Sequence, residues 1–273
     1  AQGGNAQSGW FASGGGVMTT DSTLTINRAT IINNTAQGGT GTSGANGAPN
    51  GGGLMTTWFK DGTTSRLTLT NSIVADNKAY KGGGAKVEVG GGGGLWIQAT
   101  EAVLDHTTIA NNRVTSGEGM FGQGFFILNT LNRRYAGVTI RRSIISGHNG
   151  PSGSAVEIVK GNTVSFEGGI FFNNTWDTSA TNPIVGGNNN QGTINGVNSM
   201  AKADPQYRSA GSPKFDYHIA AGSPARNKAS GQTQAVDVDN EPRNDGQPDW
   251  GADEYSPPPI PPVVITAAAF NRS

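Results

Sequence analysis

The sequence predicts an all-β chain: a parallel β-helix of stacked coils (a solenoid), closed by an irregular C-terminal cap and followed by a proline-rich tail. Three observations carry this. A phrase of thirteen residues recurs five times, a glycine-led apolar stretch precedes each copy, and the composition suits a thin core. Only 34% of the 273 residues are apolar and 14% are charged, against 43 glycines. A compact α/β domain carries more Leu, Ala and Glu, whereas a stack with one side-chain layer per coil needs few.

The copies are LTINRATIINNTA from Leu24, LTLTNSIVADNKA from Leu67, AVLDHTTIANNRV from Ala102, VTIRRSIISGHNG from Val138 and VSFEGGIFFNNTW from Val164. Their length holds while their spacing varies, so insertions fall between copies. Positions one and three are apolar: Leu24 and Ile26, Leu67 and Leu69, Ala102 and Leu104, Val138 and Ile140, Val164 and Phe166. That period of two predicts a strand with one buried face. Position eight (Ile31, Val74, Ile109, Ile145, Phe171) starts a second short strand after a bend. Position eleven reads Asn34, Asn77, Asn112, His148, Asn174. Asn tolerates left-handed backbone and bonds neighbouring main chain, so this column is expected to close a turn once per coil.

The upstream partners are GGGVMTT from Gly14, GGGLMTT from Gly51, GGGLWIQ from Gly92, GQGFFIL from Gly122 and SGSAVEI from Ser152. A glycine cluster before an apolar run predicts a tight turn into a strand, giving three short strands per coil. Val17, Leu54, Leu95 and Phe125 suit the core, whereas Ala155 and Glu157 take that phase in the fifth copy. Residues 1–13 form an incomplete first coil. Residues 37–50, 58–65, 80–91 and 115–121 are insertions leaving related corners, the usual place for a binding surface. Their aromatics Trp58, Phe59, Tyr80 and Phe121 either stack on sugar rings or pack over the loop base. Thr181–Met200 reads as a last irregular coil. The expected division is therefore solenoid 1–200, capping segment 201–256 and proline-rich linker or tail 257–273. The cap is expected to fold over the open end, anchored by Tyr207, Phe215, Tyr217, Ile219, Trp250 and Tyr255.

Charge and composition exclude several classes. The 19 basic and 19 acidic residues balance, and no basic stripe offers a nucleic-acid surface. Without cysteine there are no disulfides and no thiol catalysis, and three histidines (His106, His148, His218) argue against a zinc site. No run of 18 apolar residues supplies a transmembrane helix. The start, AQGGNAQSGW, has neither an initiating Met nor a signal peptide, so the chain is expected to be a processed or excised piece. PPPIPP at 257–262 is an extended spacer, which implies an anchor or sorting module further along.

The closing stretch carries a resemblance. DPQY from Asp204, YHIAAGSPARN from Tyr217, DVDNEPR from Asp237 and DWGADEY from Asp249 resemble the closing motif of exported bacterial proteins of the choice-of-anchor Q type. These are right-handed parallel β-helices with a pectin-lyase-like fold. The phrases are more loosely similar to polymorphic outer-membrane protein repeats. Arg226 and Asn227 depart from an Ile-Asp pair, Asn240 from a Gly and Asp253 from a Tyr, so detail does not transfer at those positions. The resemblance covers about fifty residues. It implies a secreted or cell-surface location and no single activity.

Chemistry has one candidate column. The fourth phrase position reads Asn27, Thr70, Asp105, Arg141, Glu167 and the fifth Arg28, Asn71, His106, Arg142, Gly168. Stacked one coil apart, Asp105, Arg141 and Glu167 align at steps of about 4.8 Å, with His106 and Arg142 beside them. With Glu157 added, this set could abstract the proton next to a uronate carboxylate and stabilise the resulting enolate, as acidic-polysaccharide lyases do. The same column is equally an ion-pair ladder. Asp237, Asp239, Asp249 and Asp253 near Arg243 either hold Ca²⁺ or tie loops together; no other cofactor is expected. Asn33 and Asn173 begin N-x-T triplets within the turn column. The leading expectation is a non-enzymatic extracellular or cell-surface protein: a stalk, adhesin or assembly subunit whose inter-coil loops bind carbohydrate or protein. The alternative is a polysaccharide lyase or hydrolase.

Overall fold

The computed structural model describes residues 2, 11–41, 47–58, 65–83, 89–115, 120–129, 135–150, 154–159, 161–174, 192–231, 234–244 and 246–257. Phe59 and most of the tail lie outside these. Among the described residues the chain is all-β, apart from a short 3-10 turn at Val197–Ser199.

The five phrases pair in parallel in the register their columns predict. In the phrase sheet Leu24 lies opposite Leu67, then come Ala102, Val138 and Val164. Ile26, Leu69, Leu104, Ile140 and Phe166 form the next column, and Ile31, Val74, Ile109, Ile145 and Phe171 a third. All three columns enter one core, shared with a five-stranded parallel sheet made from the glycine-led stretches Val17–Thr20, Leu54–Thr57, Leu95–Gln98, Phe125–Leu128 and Val156–Ile158. This long-sheet parallel stacking is consistent with a parallel β-helix.

Several details differ from expectation. Each later phrase forms one bent strand rather than two: Ser65–Ala75, Thr100–Ala110, Gly137–Ser146 and Thr163–Phe172. The bend falls at position five, where Arg28, Asn71, His106, Arg142 and Gly168 all have positive φ, from +43° to +78°. A second left-handed column stands at position ten (Asn33, Asp76, Asn111, Gly147, Asn173), one residue before the predicted one. Two further sets of short parallel strands appear in each of the first three repeats: one of Thr35–Gln37, Lys78–Tyr80 and Arg113–Val114, the other including Pro49–Asn50 and Gly90–Gly91. The insertions 37–50, 80–91 and 115–121 therefore begin and end on strands paired between repeats and leave from one corner, whereas 58–65 joins Leu54–Thr57 to Ser65–Ala75 and leaves from another. In the fifth glycine-led stretch the phase moves by one: Val156 aligns with Phe125 and Leu95, while Glu157 aligns with Phe126 and Trp96 on the opposite face.

The Asn column bonds neighbouring main chain, as expected, although the left-handed residue is the one before it, and it also links one repeat to the next. Asn34 donates from its backbone N–H and from Nδ2 to Oδ1 of Asn77, at 2.9 and 3.0 Å, and Asn77 does the same to Asn112, at 3.0 and 3.0 Å. Asn112 Nδ2 meets Nε2 of His148 at 3.4 Å, and His148 Nδ1 meets Oδ1 of Asn174 at 3.0 Å. This buried ladder satisfies main chain that would otherwise lack partners. The glycine clusters make room for it: a Cβ on Gly53 would stand 2.8 Å from Asn77 Nδ2, and on Gly94 2.9 Å from Asn112 Nδ2. Each glycine turn is thus tied to the phrase of its own repeat.

The C-terminal segment, expected over the open end, lies along the side of the phrase sheet. Positions seven and nine of the phrase point outward, yet Ile73, Ala75, Ala110, Ile144 and Ile170 are buried there, under Tyr217, Ile219, Ala225 and Ala252. The contacts run from the first repeat to the fifth. Arg28 bonds Asn240, Arg243 reaches Asn71, Ala252 N–H donates to Thr108 Oγ1, Gly251 N–H donates to the Arg142 carbonyl, and Trp250 packs beside Gly168. Tyr217 donates to Asp76 and accepts from Asn111, and Tyr207 bonds Ser146. A short antiparallel pair, Tyr207–Ser209 with Asp216–Ile219, presents the two tyrosines, which meet edge to face at 5.1 Å. The physical reason is the apolar outer face of the second half-strand, which needs a cover along its whole length.

Candidate functional site

The charged column forms as the register predicts, with Asp105 opposite Thr70 and Arg141, and Arg141 opposite Glu167. Because position five is left-handed, its side chains turn toward the side segment rather than staying in the strand face. Arg142 uses that geometry to reach back: Nε donates to Asp105 Oδ1 at 2.8 Å and Nη2 to Oδ2 at 2.6 Å, a two-pronged grip on a carboxylate only 1% exposed. Arg141 adds an ion pair to the same carboxylate at 3.2 Å from a side chain 34% exposed. The remaining donor of Arg142 bonds the carbonyls of Ser230 and Gly231 in the side segment.

His106 is fully buried, with Nδ1 3.1 Å from the Asp249 carbonyl and Nε2 without a hydrogen-bond partner. Burial, and then the charge of Arg243, holds this imidazole neutral, well below its usual range. Glu167 is exposed at the far end of the column. Glu157 does not join the group at all. It stands in the other sheet, fully buried, with Ser154 Oγ donating to Oε2 at 2.9 Å and Oε1 unpartnered. Burial raises its pKa to about 7, against the weaker pull of Ser154. The structure therefore gathers Asp105, Arg141, Arg142 and His106, and it does so as a clamp under the side segment.

The aromatic candidates divide. Trp58 is 3% exposed, which fits packing over the loop base rather than stacking on a sugar ring. Phe121 is half-buried and stacks on Phe126 at 5.5 Å. Tyr80 is 37% exposed at the end of its short strand, next to an insertion.

The acidic cluster also divides. Asp237 Oδ1 accepts the N–H of Asp239 and of Glu241, and Oδ2 that of Glu254. Asp249 accepts the N–H of Asn227 and of Tyr255. Both carboxylates are thus occupied in tying turns. Arg243, 2% exposed, ties the same loops through Glu254 at 2.9 Å and the carbonyls of Gly251 and Ala252. Asp239 and Asp253 remain, and they meet His218, which sequence reasoning left out of every site. The alternation DYHI, placing Asp216 and His218 on one face of a strand, was the available signal. Comparison with known protein families, with curated proteins and with solved structures returns no match for this chain.

Proposed function

We propose that the chain is a right-handed parallel β-helix displayed on or released from a bacterial cell surface. In this reading it acts without catalysis, as a stalk, adhesin or assembly subunit, and its inter-repeat loops contact carbohydrate or protein. The observation that carries the reading is the state of the charged column. A lyase needs its base and its cation open to a sugar ring. Here His106 and Arg142 are covered by the side segment, and both oxygens of Asp105 are gripped. Bound in this way, the charges hold a side wall together. The corner shared by the insertions 37–50, 80–91 and 115–121, with Tyr80 exposed beside one of them, is the natural place for partner contacts.

The competing reading, an acidic-polysaccharide lyase or hydrolase, draws on Arg141 being one-third exposed next to the exposed Glu167. Incubation with pectate, alginate and glycosaminoglycans separates the two. The proposal expects no unsaturated or shortened products, with identical traces for wild type and Arg141→Ala. Product formation that disappears on Arg141→Ala overturns it.

A further inference from the structure

We propose that His218 is a pH-operated clasp: as an imidazolium it locks three stretches of the side segment together, and in mild alkali the lock opens. The geometry requires the charged ring. Nδ1 lies 2.6 Å from Asp216 Oδ1, and Nε2 lies 2.5 Å from Asp239 Oδ2. A neutral imidazole has one N–H and one lone pair, so one of these contacts would set a lone pair against a carboxylate oxygen. Two N–H donors satisfy both, as short charge-assisted bonds. Asp253 Oδ1, 3.9 Å from Nε2, adds a third carboxylate from a residue 3% exposed. Its other oxygen accepts the Ile219 N–H at 2.8 Å. Asp239 and Asp253 are thus occupied in joining loops, as Asp237 and Asp249 are.

The position gives the clasp leverage. Asp216 and His218 share the strand Asp216–Ile219, Asp239 sits in the turn after Asp237, and Asp253 sits in the loop after Trp250. The turn carries Asn240, which holds Arg28 of the first repeat. The loop carries Gly251 and Ala252, which hold the fourth and third repeats at Arg142 and Thr108. Burial pushes the ring toward its neutral form, but the bonds to Asp239 and Asp216 and the charge of Asp253 outweigh it and raise the pKa from 6.5 to about 9. The folded chain therefore keeps a proton that the unfolded chain gives up near 6.5. The clasp's contribution is full below about 6.5 and is lost as pH rises through about 9. Once the proton leaves, three carboxylates surround a ring with one N–H. Arg208 is then the cation acting on Asp216 and Asp253, and Asp237 opposes the charge on Asp253. Burial raises Asp253 to about 7, so it titrates below this window, and burial lifts Tyr207 and Tyr217 of the same strand pair above it. This inference does not depend on the functional reading above.

Two measurements on the full chain test the clasp. In an NMR titration His218 is expected to lose its proton with a midpoint above about pH 7.5, and Asp239→Asn, at a half-exposed side chain, should lower that midpoint by at least about 1 pH unit. Hydrogen–deuterium exchange, corrected for the intrinsic effect of pH, is then compared at about pH 7.5 and 9.5. In wild type the protection of 216–222 and 237–243 should fall at least about 10-fold while that of 100–110 holds. In His218→Gln the same segments should be weakly protected at both pH values, with no further fall. A wild-type midpoint at or below about pH 7.5, a midpoint unchanged in Asp239→Asn, wild-type protection equal at both pH values, or an equal fall in His218→Gln overturns the proposal. If His218→Gln does not fold, the titration of wild type and Asp239→Asn decides.

Discussion

His148 stands where the other repeats carry Asn, and replacing it with Asn isolates one pH-dependent contribution to stability. Its ring is buried in the ladder, where Nδ1–H donates to Asn174 Oδ1 and Nε2 accepts from Asn112. The Nε2 contact needs the neutral ring, the Nδ1–H bond survives in either state, and burial lowers the ring's pKa from 6.5 to about 4. The sign follows from proton counting. Between about pH 4 and 6.5 the unfolded chain binds a proton at His148 that the folded chain refuses, so stability is fully present above 6.5 and is lost as pH falls toward 4. A difference of roughly 2.5 units at about 1.4 kcal/mol each is worth roughly 3 kcal/mol, most of it gone by about pH 4.5. Other buried groups titrate too. His106 acts in the same direction and Glu157, raised to about 7, in the opposite one. These cancel when wild type and His148→Asn are compared at each pH. Urea unfolding at about pH 7.5 and 4.5 should show His148→Asn losing roughly 2–3 kcal/mol less than wild type on acidification. Equal losses would refute the neutral-ladder reasoning.

Asn112→Ala, at the middle of the ladder, removes the acceptor of two Asn77 donors and the bond to the Val74 carbonyl. It is expected to cost about 3–5 kcal/mol in denaturant unfolding, whereas Asn34→Ala, half-buried at the ladder's end, should cost about 1. Gly94→Ala sets a methyl 2.8 Å from the Gly124 carbonyl oxygen and 2.9 Å from Asn112, and thermal melting should show a loss of at least about 2 kcal/mol. Gly137→Ala meets nothing within 4 Å and should stay within about 0.5 kcal/mol of wild type. Arg243→Met strands Glu254 in a buried setting, with an expected loss of about 3–5 kcal/mol.

The inward columns of the phrase were legible because a period of two and a fixed register leave no alternative core face. Outward burial was also written in the sequence, in runs such as Ser72–Ala75, Ser143–Ser146 and Gly169–Phe172, whose apolar residues occupy consecutive positions. Consecutive apolar positions signal a strand covered on both sides, and reading position eight alone hid this. That is why the C-terminal segment was expected at the end of the stack instead of along its flank. The bend at position five was harder to see. Arg28, Asn71, His106 and Arg142 share a left-handed backbone but no side-chain chemistry, so no column of like residues marks it. The charged column was legible as a neighbourhood and illegible as a clamp, because its partners Ser230, Gly231 and Asp249 lie far away in sequence. His218 was missed because Asp239 and Asp253 reach it only once the side segment folds, although Asp216 stands two residues away on the same strand.

Hydrogen–deuterium exchange tests most directly the claim that the charged column is a wall under an integral side segment. Trp250, Gly251 and Ala252 donate their N–H groups to the Ala225 carbonyl, the Arg142 carbonyl and Thr108 Oγ1. If the segment is part of the wall, peptides covering 249–255 exchange together with those covering 100–110 and 137–146, both at least about 100-fold slower than an unstructured chain. Exchange of 249–255 near the unstructured rate, while the phrase strands stay protected, would mean a flap that uncovers His106 and Arg142, and would contradict the account.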